Sequence, residues 1–372
     1  MRILMTADAI GGVFTYAVEL SRALAAHGIE VVLATFGRPL SAAQRSQARR
    51  CPGLELHESS FALEWMPEPW ADVHAAGMWL RRLARRLAPD LMHFNHYAQA
   101  ALAWPAPALV VAHSDVWSWW RAVHGTTPGA DWARYYACVH AGLHAADRVI
   151  APSHAMLENL TRDYGPLPSA QVIPNGIELA RFAPACKRPY VLAAGRLWDE
   201  AKNIAALEHV ARSLEWPVYV AGESHSPQSR APAGLADRAS RAAFRPLGSL
   251  GRHALVQRLA HAAIYALPAR YEPFGLSVLE GAASGCALVL GRIPSLLENW
   301  HDAALFVDPD DTAELSRTLT RLIRDRALRE HWGARARQRA ARLGAARMAG
   351  AYARTYAELC AARPAGSLAC AS

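Results

Sequence analysis

Two doubly wound α/β domains are predicted for this chain by three features of its 372 residues. Short apolar runs alternate with amphipathic segments, which is the pattern of parallel β-α-β units. The alternation pauses at "FAPACKRP" (182–189) and then restarts. Length agrees, because a chain of this size usually divides into two cores.

The elements follow in order. "RILMTA" (2–7) is a short apolar strand, Gly11 and Gly12 make a turn, and "FTYAVELSRALAAHG" is a helix ended by Gly28. "IEVVLATF" (29–36), "DLMHF" (90–94), "ALVVAHS" (108–114), "DRVIAPS" (147–153) and "QVIPNG" (171–176) are further strands. After the pause come "YVLAAGR" (190–196), "PVYVAGE" (217–223), "AAIYALPA" (262–269) and "ALVLGR" (287–292). The segment from 312 to about 361 is arginine-rich and helical in pattern, with a break at Gly344. The expected division is an N-terminal domain over 1–186, a C-terminal domain over 187–345, a terminal helix over 346–362 and a flexible tail over 363–372. Two such domains imply a cleft, and ligands bind beyond the carboxyl ends of the strands.

Composition narrows the function classes. The formal charge is +8, and arginine carries almost all of the positive charge, the only lysines being Lys187 and Lys202. A basic surface suits nucleotides, anionic membranes or nucleic acid, but no nucleic-acid recognition motif is present. The six cysteines are scattered with no C-x-x-C pair, which predicts reduced thiols. The N-terminus lacks the apolar core of a signal peptide, and no run approaches the roughly 20 apolar residues that span a bilayer. A cytoplasmic protein is expected, with any membrane contact peripheral.

Three segments lie just after strands and can carry chemistry. In "TADAIGGVFTY" the glycine pair lets backbone N–H groups approach an anion, or is simply a tight strand-to-helix turn. "AAGRLWDEAKN" offers Arg196 and Lys202, either a diphosphate clamp or a solvated basic pair. "ARYEPFGLSVLEGAASG" (269–285) places Glu272 and Glu280 around a helix that Pro273 forces to start near Gly275. First-turn N–H groups, from about Phe274 to Ser277, then favour an anion. A bound phosphate would repel both carboxylates, so they are better placed to accept hydrogen bonds from hydroxyls on either side of it. No third ligand spacing supports a metal site. A hydrolase acid/base pair stays open at this point.

With E-P-F-G-L-x-x-L-E at 272–280, "GRLWDEAKN", "IPNGIE" and the N-terminal Gly-Gly turn, the chain resembles the family 4 retaining glycosyltransferases of GT-B fold, the bacterial group 1 type. The resemblance covers about residues 1–362. It implies two Rossmann-like domains, with a nucleotide-sugar donor on the C-terminal one and mostly the acceptor on the N-terminal one. It also implies that the terminal helix, "AGAYARTYAEL" (349–359), returns to the N-terminal domain. By position it implies Glu272 at the donor-sugar hydroxyls, Glu280 at the ribose, and Arg196 and Lys202 at the diphosphate. Phe274, Gly275, Leu276 and Ser277 would meet sugar and phosphate through their N–H groups. Gly11 and Gly12 would line the N-terminal side of the donor, His113 in "VVAHSD" would approach the sugar near its reactive centre, and "FRPLGSL" (244–250), with Leu250, would line the base. No metal or other cofactor is implied. The implied reaction is transfer of a hexose from a UDP- or GDP-sugar to a glycan or lipid-linked acceptor in bacterial polysaccharide or glycolipid assembly. A nucleotide-sugar epimerase and a glycoside hydrolase or phosphorylase are the alternatives.

The chain departs from the family pattern where "EGAASGCALVL" follows the motif and where Pro294 is followed by Ser295, the nearest acid being Glu298. Two further features have a functional reading beside plain packing. Trp117, Trp119 and Trp120 can stack on acceptor sugar rings or fill a core. "MWLRRLARRLAPD" (78–90) pairs Trp79, Leu80, Leu83 and Leu87 with Arg81, Arg82, Arg85 and Arg86, as either a surface helix or one that meets an anionic membrane. His93 and His96 lie at a strand end without evident metal partners.

Overall fold

The computed structural model describes residues 1–224 and 243–362, so the expected tail at 363–372 lies outside the described residues. The chain forms two units. The first contains 1–120, 126–176 and the segment from Ala345 onward; the second contains 121–125 and 177–344.

The first unit is built on a seven-stranded parallel sheet in the order β3-β2-β1-β4-β5-β6-β7. Its strands are β1 (Arg2–Asp8), β2 (Glu30–Phe36), β3 (Leu54–Glu58), β4 (Leu91–Phe94), β5 (Ala108–Val111), β6 (Arg148–Ala151) and β7 (Ala170–Val172). Its helices include α1 (Gly12–Leu24), α2 (Ala42–Arg49), α3 (Trp70–Leu87), α4 (Val116–His124), α5 (Ala133–Ala145) and α6 (His154–Tyr164). The central strands are apolar on both faces because helices cover both, as a parallel sheet demands. Leu4, Val32, Met92 and Val110 enter one cluster with Leu80, Leu83 and Val139 of the helices.

The second unit repeats the arrangement with six strands in the order β10-β9-β8-β11-β12-β13. These are β8 (Arg188–Ala194), β9 (Val218–Ala221), β10 (Phe244–Gly248), β11 (Ala262–Leu267), β12 (Ala287–Gly291) and β13 (Leu305–Val307). Among the described residues its helices are α7 (Ile204–Ala211), α8 (Arg252–His261), α9 (Leu276–Ala283), α10 (Pro294–Trp300), α11 (Thr312–Arg324) and α12 (Arg326–Ala340). Side-chain alternation feeds two cores. Leu192, Tyr265, Leu267 and Leu288 face one, while Val191, Ile264, Ala266 and Val289 face the other.

In both sheets the strand order reverses beside the first strand, between β1 and β4 and between β8 and β11. Such a reversal separates the crossover loops and opens a crevice at the strand ends. The segments singled out by sequence follow these strands.

The chain enters the second unit at Ile177, ahead of the expected boundary at 186. Ile177 pairs with Gly344, and both Ile177 and Phe182 are buried in the second core. The last helix, α13 (Ala345–Ala362), belongs to the first unit and buries Tyr352 and Tyr356 there.

Candidate active site

In the second unit the site is assembled from the loops after β8 and β11. After β8 the chain passes Gly195, whose N–H donates to Ala221 O at 2.9 Å. Neighbouring Gly222 has φ +152°, and a Cβ there would sit 1.8 Å from Gly195 O, so only glycine fits. The loop then turns through Asp199, whose carboxylate accepts from Ala201 N at 3.1 Å and from Arg196 Nη2 at 2.6 Å. The Arg196 guanidinium lies 5.1 Å from the Trp198 ring, with 34% of the side chain exposed. Arg196 is thus aimed by its near neighbours while part of its donor fork stays at the surface.

Lys202 closes this turn. Its aliphatic stem lies along Gly195, where a Cβ would meet Lys202 Cγ at 3.4 Å. Its Nζ donates to Glu272 Oε2 at 2.7 Å, and the two side chains are only 15% and 14% exposed. The loop after β11 is fastened to the same turn. Arg270 N donates to Ala201 O at 2.8 Å, and Asn203 Nδ2 donates to Pro268 O at 2.9 Å and Pro309 O at 2.7 Å. Asn203 sits at φ 54°, a left-handed conformation that asparagine tolerates.

Glu272 is held from three sides. Oε2 takes Lys202, Oε1 accepts from Gly275 N at 2.9 Å, and its backbone carbonyl accepts from the Ser295 hydroxyl. The start of α9 therefore differs from expectation: the Gly275 N–H is satisfied by Glu272 and does not face outward. The N–H groups of Leu276 and Ser277, in the first turn of α9, have no intrahelical partner by the geometry of a helix. Gly275 itself adopts φ 89°, and a Cβ there would press on Val278 Cγ2 at 3.0 Å. Phe274 is buried beneath the turn.

Glu280, one turn further along α9, is buried and pairs with Arg252 at the start of α8. Arg252 also lies over the Phe182 ring at 5.1 Å. Gly281 lets α9 press onto β11, since a Cβ there would reach Tyr265 Cγ at 2.8 Å. Leu250 is partly buried in the loop between β10 and α8. The second lysine, Lys187, has a separate job: it donates to Ser284 O at 2.6 Å and Ala260 O at 3.1 Å, where a cation suits the carbonyl ends of two helices.

In the first unit, Gly11 caps α1 at φ 99° and ψ −151°, and Gly12 begins that helix; both are exposed. His113, just after β5, is half-buried, and its Nε2 lies 2.8 Å from Asn95 Oδ1. His93, within β4, and His96, just after it, lie in the same buried patch. Burial pushes the pKa of each of the three imidazoles down to about 3, with mutual repulsion adding for His113. Among the described residues no group of three or more His, Cys, Asp or Glu is arranged to hold a metal ion.

Residues 10–181 match the family model described as Glycosyltransferase Family 4, and residues 178–339 match the one described as Glycosyl transferases group 1. The glycogen synthase of Mycobacterium tuberculosis is 30% identical over 378 residues, covering 91% of this chain and 90% of that protein. The chain is a family 4 glycosyltransferase. A D-inositol 3-phosphate glycosyltransferase from Streptomyces bingchenggensis is 28% identical, covering 95% of this glycosyltransferase and 86% of that one. Sucrose-phosphate synthase from Thermosynechococcus elongatus superposes with a TM-score of 0.81 at 20% identity, covering 98% and 100% of the two chains. HepE of Anabaena, solved with UDP-glucose, gives 0.77 at 15% identity over 96% and 100%. These likenesses establish the GT-B fold.

Two features of the glycosyltransferase that the sequence left open have these surroundings. Trp117 is partly buried and packs against the first core, 4.9 Å from the Tyr136 ring and 6.2 Å from Tyr135. Trp119 and Trp120 are half-buried and pack edge to face at 6.2 Å. In α3, Leu80 and Leu83 are buried and Trp79 meets Phe36 edge-on at 5.8 Å. The apolar face of that helix is thus spent on its own core, and Arg82, Arg85 and Arg86 remain exposed. No helix among the described residues is long and apolar enough to cross a membrane.

The roles of Asp199, Asn203, Arg252 and Ser295 were not read from the sequence. Asp199 and Asn203 stand within the quoted "GRLWDEAKN" and could have been read as turn-forming residues. Arg252 lies 28 positions before its partner, and no spacing rule links them.

Proposed function

We propose that this glycosyltransferase moves a hexose from a UDP- or GDP-sugar to an acceptor hydroxyl with retention of configuration. One observation carries the reading: Lys202 and the first turn of α9 are locked together by Glu272, beside Arg196, at the strand-order reversal of the second sheet. A cation, an arginine fork and helix N–H groups make a site for a departing diphosphate. Arg196 spends one contact on Asp199 and Lys202 one on Glu272, so both keep further donors for phosphate oxygens. HepE, a fold neighbour, was solved with UDP and with UDP-glucose, which supports a uridine donor.

In this reading Lys202, Arg196 and the α9 amides stabilise charge as it develops on the leaving group, an electrostatic contribution that is often the largest in catalysis. They supply the neutralisation a divalent cation gives elsewhere, so turnover is expected to survive chelation by EDTA. Glu272, held against Lys202, orients the sugar hydroxyls and balances charge near the reacting face. Attack then comes from the face the leaving group departs from. Glu280 sets the ribose, with Arg252 fixing its carboxylate; Leu250 lines the base; His113 and the Gly11–Gly12 turn belong to the sugar side. Polysaccharide or glycolipid assembly in the cytoplasm is the expected setting, with Trp119 and Trp120 as candidates for acceptor contact.

A thermal-shift screen against UDP-, GDP-, ADP- and dTDP-sugars tests the donor class, because a ligand that binds the folded state raises its apparent stability. One nucleotide series is expected to stand out. No shift with any of them, at millimolar concentration, contradicts the reading.

A further inference from the structure

The buried patch at the strand ends of the first unit has a direction to it. Asn95 Nδ2 donates to Thr6 O at 2.6 Å, and because a backbone carbonyl can only accept, the orientation of the Asn95 amide is fixed. Its Oδ1 therefore faces His113 Nε2 at 2.8 Å and His93 Nε2 at 3.3 Å. An amide oxygen only accepts, so both imidazoles carry their proton on Nε2. That leaves His93 Nδ1 as an acceptor, and the Tyr356 hydroxyl of α13 lies 2.7 Å from it, placed to donate. The chain of protons is consistent along its whole length: Tyr356 to His93, then His93 and His113 both to Asn95, and Asn95 to Thr6.

We propose that Asn95 is a positioning residue that locks His113 as the neutral Nε2–H tautomer, so that His113 Nδ1 is presented as a hydrogen-bond acceptor for a substrate hydroxyl. His113 Nδ1 has no hydrogen-bond partner among the described residues, and the residue is half-buried, so part of it reaches the surface. The Tyr16 ring packs edge-on against the imidazole at 4.5 Å and restrains its tilt. A ring offering Nδ1–H would select an accepting group on the substrate; this ring selects a donating one, as a sugar hydroxyl is. The inference rests on the reading of His113 as a sugar-facing residue.

Long-range proton–nitrogen NMR of the histidine side chains, with His113 assigned through His113→Asn, reads the tautomer with no substrate present. Nε2–H is expected for His113 in the wild type. Asn95→Leu removes the acceptor and is expected to give mixed tautomers, with kcat/KM lower by about tenfold, the worth of one good hydrogen bond. Asn95→Asp restores an acceptor at the same place and is expected to recover the Nε2–H form, which a merely structural role for Asn95 does not require. Nδ1–H in the wild type overturns the proposal whatever the donor turns out to be. The expected tautomer, with full turnover in both His113→Asn and Asn95→Leu, overturns the hydroxyl-acceptor role and the sugar-facing reading together. Failure of the nucleotide-sugar reading shows separately, as absence of binding to any donor.

Discussion

Lys202 Nζ stands 2.7 Å from Glu272 Oε2, while the other Glu272 oxygen accepts the Gly275 N–H at 2.9 Å. One carboxylate thus joins the loop after β8 to the start of α9, and 70 residues of sequence separate the two ends of the ion pair. The pair is largely shielded from water, so screening is weak and the geometry is firmly held.

Lys202→Ala is expected to lower kcat by about 10²–10³, the usual cost of removing one preorganised donor at a site of developing charge. Glu272 keeps its Gly275 and Ser295 contacts in this variant, so the circular dichroism spectrum and a cooperative melt are expected to persist. Steady-state kinetics on the purified variant checks this, and near-normal turnover in a folded protein sinks the role given to Lys202.

Gly275→Ala is expected to destabilise the protein by about 1–3 kcal/mol, since the left-handed backbone and the contact at Val278 both resist a Cβ. Urea unfolding measures it. A change below about 0.5 kcal/mol means the start of α9 does not need the glycine.

Glu280→Gln is expected to raise the donor KM more than it lowers kcat, because the carboxylate is assigned to binding that substrate and transition state share. Glu280→Ala adds a stability cost of about 2–3 kcal/mol, since it removes the carboxylate that faces Arg252 in a mostly buried ion pair. An unchanged donor KM in Glu280→Gln counts against the ribose assignment.

Stability is expected to fall as pH drops below about 6.5. His93, His96 and His113 have folded pKa values of about 3 against an ordinary 6.5. In that window the unfolded chain binds protons that the folded one refuses, each worth about 1.4 kcal/mol per pH unit. The benefit of burying them neutral is fully present above pH 6.5 and is lost towards pH 3. Glu64, whose pKa burial raises from 4.5 to about 6, opposes this by one proton between those values, and Asp115, also raised by burial, opposes it in the same sense. Three imidazoles outweigh two carboxyls, so urea midpoints at pH 7.5, 6 and 5 are expected to decline, and a flat profile contradicts the buried neutral cluster.

Much of this fold is legible in the sequence, and the gaps have one physical cause. The strands that apolar runs did not reveal are β3, β10 and β13, and each lies at the edge of its sheet. Edge strands bury little, so "LELHE" mixes polar residues, "FRPLG" carries Pro246 where a missing N–H costs nothing, and "LFV" is only three residues. The central strands had to be apolar on both faces and could be read directly. Arg196, Lys202, Glu272 and Glu280 were visible because strand-end loops and helix starts have local chemistry. The pairing of Glu280 with Arg252 and the line from His113 through Asn95 and His93 to Tyr356 were not, since the His93–Tyr356 step joins residues 263 positions apart.

The most direct measurement is calorimetric binding of UDP, GDP and their monophosphates to wild type and Lys202→Ala. The wild type is expected to bind one nucleoside diphosphate distinctly more tightly than its monophosphate, and Lys202→Ala, still folded, is expected to lose most of that difference. Equal affinity for the diphosphate in both proteins contradicts a diphosphate site built on Lys202 and the start of α9.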